Sequence, residues 1–169
     1  FGLPVAAPAI LMGTLGKALG TFGAFVAGTD DLVETLIQHA RTYIYTTALP
    51  PAVAEATRAS LRILRTDDGR RAVLHARIRQ FREGARELGF TLPASQTAIQ
   101  PVILGAPGRA LAASEVLRAR GILVSAIRPP TVPRDTARLR ITLSAGHTPQ
   151  QVERLLDALA HLPRAPEPA

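Results

Sequence analysis

Along the chain, apolar positions fall into short runs and helical stripes separated by glycine and proline. Ile10-Leu11-Met12 closes an apolar run that reads as a strand, and Phe22-Gly23-Ala24-Phe25-Val26-Ala27-Gly28 reads as a second, buried one. Asp30 and Asp31 open a helix that carries Leu32, Leu36, Ile37 and Ala40 at helical spacing. Tyr43-Ile44-Tyr45-Thr46-Thr47-Ala48-Leu49 is β-branched and aromatic and ends at Pro50-Pro51, so it reads as an extended segment or loop. A helix from Ala52 carries Ala56, Leu61, Ile63 and Leu64 up to Asp67-Asp68-Gly69. Residues 70–88 give a second long helix, with Val73, Leu74, Ile78, Phe81 and Leu88 inward and its arginines mostly outward.

Beyond Gly89 the pattern shifts. Ile99-Gln100-Pro101-Val102-Ile103-Leu104 reads as a strand, residues 108–120 as a helix closed by Gly121, and Ile122-Leu123-Val124-Ser125-Ala126-Ile127 as another strand. The stiff loop Arg128-Pro129-Pro130-Thr131-Val132-Pro133 leads into the alternating strand Ala137-Arg138-Leu139-Arg140-Ile141-Thr142-Leu143. Thr148-Pro149-Gln150-Gln151 has the form of a capping box and starts a last helix to about His161. This half predicts a small α+β module, its helices on one face of a mainly antiparallel sheet. The first half holds too few strands to close a sheet of its own, and its two strands look like the last ones of a larger sheet.

Composition narrows the function classes. Apolar residues make up 47% and charged residues 20% of the 169 positions, ordinary for a globular chain. Cysteine is absent, so disulfides, thiolate metal sites and cysteine nucleophiles are excluded. The four histidines sit at irregular spacing, and no metal-binding set is visible. No uncharged apolar run has membrane-spanning length, and a soluble, cytoplasmic setting is expected. The formal charge of +7 invites a nucleic-acid reading, but aromatics are only 4% and the arginines are dispersed, so the stacking platforms of such a surface are missing.

A single feature inside the charge count carries more chemistry. Of the 20 basic residues only Lys17 is lysine, and it lies in Gly13-Thr14-Leu15-Gly16-Lys17-Ala18-Leu19-Gly20. The spacing is not that of a phosphate-binding P-loop, which needs four residues before Gly-Lys and a hydroxyl residue after it, nor that of a dinucleotide fingerprint. An amine flanked by small residues suits imine formation with an aldehyde, because bulky neighbours would block its approach. Thr14, three residues earlier, offers a hydroxyl to a phosphate on the same molecule. As a bare pattern the loop fits a structural turn better.

Taken together, several ordered motifs resemble the α-oxoamine synthases, pyridoxal-phosphate enzymes of the aspartate-aminotransferase fold, type I. They are Thr14-Leu15-Gly16-Lys17-Ala18-Leu19-Gly20 with Gly23-Ala24-Phe25-Val26-Ala27-Gly28, then Tyr45-Thr46-Thr47-Ala48-Leu49-Pro50-Pro51, Ala98-Ile99-Gln100-Pro101-Val102, and Ala126 to Pro133 followed by Ala137 to Ala145. The resemblance implies an α/β fold, with residues 1–50 as the end of a large cofactor-binding domain, 51–88 as connecting helices, 89–162 as a small α+β C-terminal domain and 163–169 as a flexible tail. It implies that Lys17 holds pyridoxal 5′-phosphate as an internal aldimine and moves protons at the substrate α-carbon, and that Thr14 bonds the cofactor phosphate. Thr46 and Thr47 would reach the phosphate of the neighbouring subunit in a homodimer. Arg140 would pair with the amino-acid carboxylate, a role suited to a planar two-pronged donor.

The Ile127-Arg128-Pro129-Pro130-Thr131-Val132-Pro133 loop has the form of the biotin-pathway member. It implies decarboxylative condensation of L-alanine with a pimeloyl thioester on coenzyme A or on a carrier protein. Sibling chemistry with glycine or serine, and a non-catalytic dimerisation or binding module, stay open beside it. On pattern alone Arg138 and Arg140 are two charges on one strand face, and Thr46 and Thr47 are ordinary β-branched residues. The family also places an acidic residue against the pyridine nitrogen and a histidine on the ring, upstream of the lysine. Neither has a match here, so these residues alone are expected to be incompetent, as the C-terminal part of a longer synthase.

Overall fold

The computed structural model describes residues 10–162; the tail expected at 163–169 lies outside the described residues. The chain forms two compact units, divided at Asp67 and Asp68 inside the stretch read as connecting helices.

The first unit opens with an antiparallel pair, β1 (Leu11–Thr14) and β2 (Ala24–Ala27), in the register Leu11 with Ala27 and Thr14 with Ala24. Three helices follow: α1 (Asp30–His39), α2 (Arg41–Ile44) and α3 (Pro51–Thr66). Thr29 caps α1, its hydroxyl accepting from the Leu32 amide, and Asp30 and Asp31 place negative charge against the first-turn N–H groups. Pro51 opens α3 at a position where its missing N–H costs nothing.

Two expectations need correction here. The strand predicted as buried is exposed along all four residues of β2, because a two-stranded ribbon has no second layer to pack on within its unit. Residues 43–49 are not wholly extended. Ala40 breaks α1, and the Ile44 and Tyr45 amides then bond the carbonyls of Ala40 and Arg41, so local helical bonding overrides β-propensity where no strand partner is present. Along α3, Leu61, Ile63 and Leu64 are all exposed.

The second unit contains the core. Helix α4 (Asp68–Glu87) leads to a three-stranded antiparallel sheet of β3 (Ile99–Gly105), β5 (Ala137–Thr142) and β4 (Ser125–Ile127), in that spatial order. Helices α5 (Pro107–Ala119) and α6 (Pro149–Ala160) complete it. Alternation along β5 buries Ala137, Leu139 and Ile141 and turns Arg138 and Arg140 to the other face. The buried set joins Phe81 and Ile78 of α4, Val102 of β3, Leu117 of α5 and Leu159 of α6 into one cluster. Val73, expected inward, is exposed, and Ala85 takes a core position one turn beyond Phe81. Gly84 lets α4 approach α6 closely, since a Cβ there would stand 2.4 Å from a Leu156 methyl. The capping box at Thr148 and Gln151 forms in both directions, and Gly121 adopts the positive φ of 75° that ends α5. The small antiparallel module is thus as its pattern predicts, with β4 shorter than the run that foretold it.

Candidate active site

The lysine loop is the connection between β1 and β2. Its base is closed by the Leu15 amide on the Gly23 carbonyl at 2.8 Å and the Thr21 amide on the Leu15 carbonyl at 3.0 Å. Its tip is a reverse turn in which the Gly20 amide bonds the Lys17 carbonyl at 3.0 Å, with Gly20 at φ 65°. A side chain at Gly20 would be strained by that conformation, so the glycine has a backbone reason to be there. At Gly13 the Phe25 ring lies across the strand pair, 2.6 Å from where a Cβ would stand.

Helix α3 holds the far arm of the loop from the side. The Ser60 hydroxyl donates to the Leu19 carbonyl at 2.7 Å. The Thr57 hydroxyl lies 2.9 Å from the Thr21 hydroxyl, which itself reaches the Leu15 carbonyl at 3.2 Å. Leu49 also lies alongside, its methyl 3.1 Å from the position of a Cβ on Gly23.

Within this frame Lys17 and Thr14 are both exposed. Among the described residues no ion pair or hydrogen bond engages the Lys17 amine. A Cβ on Gly16 would stand 3.4 Å from the Thr21 carbonyl. The donor set is therefore one uncommitted primary amine on a fixed turn, small neighbours, and a hydroxyl at the end of the strand leading into it. It fits a ligand that presents an aldehyde to the amine and an anionic oxygen group to the hydroxyl.

Thr46 and Thr47 follow α2 in the same unit, both exposed, and the Thr46 amide bonds the Tyr43 carbonyl at 3.4 Å. The Arg41 guanidinium sits 5.7 Å from the Tyr45 ring centroid. Arg140 belongs to the second unit. It stands on the central strand between Pro101 of β3 and Ser125 of β4, held in place by the buried Leu139 and Ile141 on either side of it in sequence. Arg138, two residues earlier, has its Nε committed to the Thr136 carbonyl at 2.9 Å. Arg140 has no such bond among the described residues and presents its guanidinium from a rigid strand. Lys17, Thr14, Thr46 and Thr47 thus share one unit and Arg140 the other.

Sequence reading missed Thr21, Thr57 and Ser60. A signal was available for two of them: Val53, Thr57, Ser60 and Leu64 form one stripe of α3, with two hydroxyls at adjacent turns of an otherwise apolar line.

A chain with this lysine hairpin and this small antiparallel module matches the family model of aminotransferase class I and II over residues 3–159, and it belongs to that family. Within the family it is similar to 8-amino-7-oxononanoate synthases, as the sequence motifs implied. It is 61% identical to that of Stutzerimonas stutzeri over 160 residues, covering 95% of this chain and 41% of the relative. The synthase of Nitrosococcus oceani is also 61% identical, over 162 residues, with 96% of this chain and 43% of the relative covered. Among solved structures, the 8-amino-7-oxononanoate synthase of Francisella tularensis superposes with a TM-score of 0.79 at 34% identity, over 89% of this chain and 44% of that one. A structure of SPT with its PLP internal aldimine superposes at 0.84 with 32% identity, over 89% and 38%. The α/β fold of the pyridoxal-phosphate transferases is borne out. The chain spans about 41% of the length of the first of these curated relatives.

Proposed function

We propose that this chain supplies the cofactor lysine and the carboxylate-binding arginine of an 8-amino-7-oxononanoate synthase, a pyridoxal-phosphate-dependent acyltransferase of biotin synthesis. The reaction joins the α-carbon of L-alanine to the carbonyl of a pimeloyl thioester, releases the free thiol of coenzyme A or a carrier protein, and loses the alanine carboxylate as carbon dioxide. The observation that carries the reading is the lone Lys17 amine, without a partner among the described residues, on a braced turn in a chain 61% identical to named synthases.

When bound, the cofactor supplies the electron-withdrawing ring that accepts charge from the α-carbon. The chain's own residues do the rest. Lys17 would hold the cofactor through its amine and would take and return the proton at the substrate α-carbon. The Thr14 hydroxyl donates to the cofactor phosphate, and Thr46 and Thr47 donate to the phosphate of a neighbouring subunit in a homodimer. Arg140 orients the substrate by two parallel N–H bonds to its carboxylate, and its fixed place on β5 limits the entropy lost on binding.

The relatives are more than twice as long as this chain. The turnover proposed is accordingly that of a whole synthase, and the 169 residues alone are expected not to sustain it. Steady product formation by them alone would contradict this. A second reading, condensation of serine or glycine with another acyl thioester, is favoured only by the likeness in fold to SPT. Comparing turnover of alanine, glycine and serine with pimeloyl thioester by the full-length protein tests the choice. Preference for alanine is expected, and preference for serine or glycine, or no turnover with any of them, would overturn it.

A further inference from the structure

The bracing of the lysine turn has a consequence for how the amine is presented. The two arms of the loop are held differently. The β1–β2 ladder fixes the arm that ends at Thr14, through the pairing of Thr14 with Ala24 and the Leu15 amide on Gly23. The other arm, from Leu19 to Thr21, has two side-chain bonds to α3: Ser60 to the Leu19 carbonyl and Thr57 to the Thr21 hydroxyl. Both hydroxyls are half-buried, and they lie one turn apart on the same face of the helix. With the Thr57 proton directed to Thr21, in place of the Val53 carbonyl that is also 2.9 Å away, the two hydroxyls relay to the Leu15 carbonyl and tie the helix to both arms of the turn. Gly20, free of Cβ contacts and at positive φ, lies between the two anchored residues, where an unbraced turn would flex.

We infer that Ser60 and Thr57 are positioning residues that lock the turn, so that the Lys17 amine meets the cofactor aldehyde from one fixed direction. This rests on the cofactor reading above and extends it to two residues that touch neither cofactor nor substrate. Each hydroxyl bond is half-shielded from water, so its loss frees the Leu19–Thr21 arm without opening the core of the second unit. The lysine itself, its charge and its small neighbours stay unchanged when these hydroxyls are removed, so an effect on amine reactivity reports on geometry.

The test compares full-length wild type with Ser60→Ala, Thr57→Val and the double variant, with Ser60→Thr and Thr57→Ser as conservative rescues. The first readout is hydrogen exchange at the Gly20 and Thr21 amides without cofactor, since these bond the Lys17 and Leu15 carbonyls. The second is the concentration of pyridoxal phosphate needed for half-maximal borohydride-trapped pyridoxyl label at Lys17. The double variant is expected to exchange these two amides faster and to need more cofactor, each by roughly five- to tenfold, with an unchanged melting temperature and recovery in the hydroxyl-keeping variants. Unchanged exchange and unchanged capture in the double variant would overturn the inference. Faster exchange with unchanged capture would overturn it as well, reducing the two residues to a structural role. Failure of wild type itself to take label at Lys17 would overturn the cofactor reading, and this inference with it.

Discussion

The two units bury their apolar side chains to very different degrees. In the second, Phe81, Leu117 and Leu139 are wholly removed from solvent, and strands and helices contribute to one cluster. In the first, no described residue is buried, and Ile10, Leu11, Met12, Phe22 and Tyr45 are each more than 60% exposed. The first unit has a strand pair and three helices, yet its apolar faces point outward. The second unit carries its own stability, whereas the first is organised around a turn and its hydrogen bonds. The proposed chemistry follows this division: Lys17 is on the unit held by polar bracing, and Arg140 is on the unit held by a core.

The largest contrast between the units should come from Lys17→Ala. Capture of pyridoxal phosphate and turnover of the full-length enzyme are expected to fall on the order of a thousandfold or more, with the melting of the second unit unmoved. Retained turnover would remove the lysine from the reaction. Next is a pair of aromatic truncations, read by denaturant unfolding. Phe81→Ala should cost about 3–5 kcal/mol, and Phe25→Ala about 1 kcal/mol or less, because only the first leaves a cavity in a closed core. Equal costs would mean that the first unit has a core as well. Arg140→Lys keeps the charge and loses the planar fork. It should raise the KM for alanine about tenfold while stability stays within about 0.5 kcal/mol of wild type. A stability loss with KM unchanged would return Arg140 to a structural role. The smallest effect belongs to Thr148→Ala, which removes the α6 cap and should cost the second unit about 1 kcal/mol, measurable as a shifted denaturation midpoint.

The same contrast explains what the sequence revealed and what it hid. Alternation along residues 137–142, the capping box at Thr148 and the glycine after α5 are local codes, and each appeared where its pattern placed it. They worked because the second unit satisfies them internally. Reading β2 as buried failed because an apolar run says a face wants covering, and the strand pair in this chain leaves it bare. Tyr43 to Leu49 misled for a related reason: β-branched residues make a strand only against a neighbour, and without one the first of them finished a helical turn. Lys17 stood out because the chain has no other lysine. Ser60 and Thr57 did not: their place in the apolar stripe of α3 was a signal, but it does not name the partners 41 and 36 residues away that they brace.

The central claim is that Lys17 is a cofactor amine, and it is tested most directly by chemistry at that one atom. The full-length protein is mixed with pyridoxal phosphate at low concentration, reduced with borohydride, digested, and its peptides searched for the pyridoxyl mass. Label confined to the peptide bearing Lys17 is the predicted result. A protein that takes label only at other amines, or takes none, would contradict it.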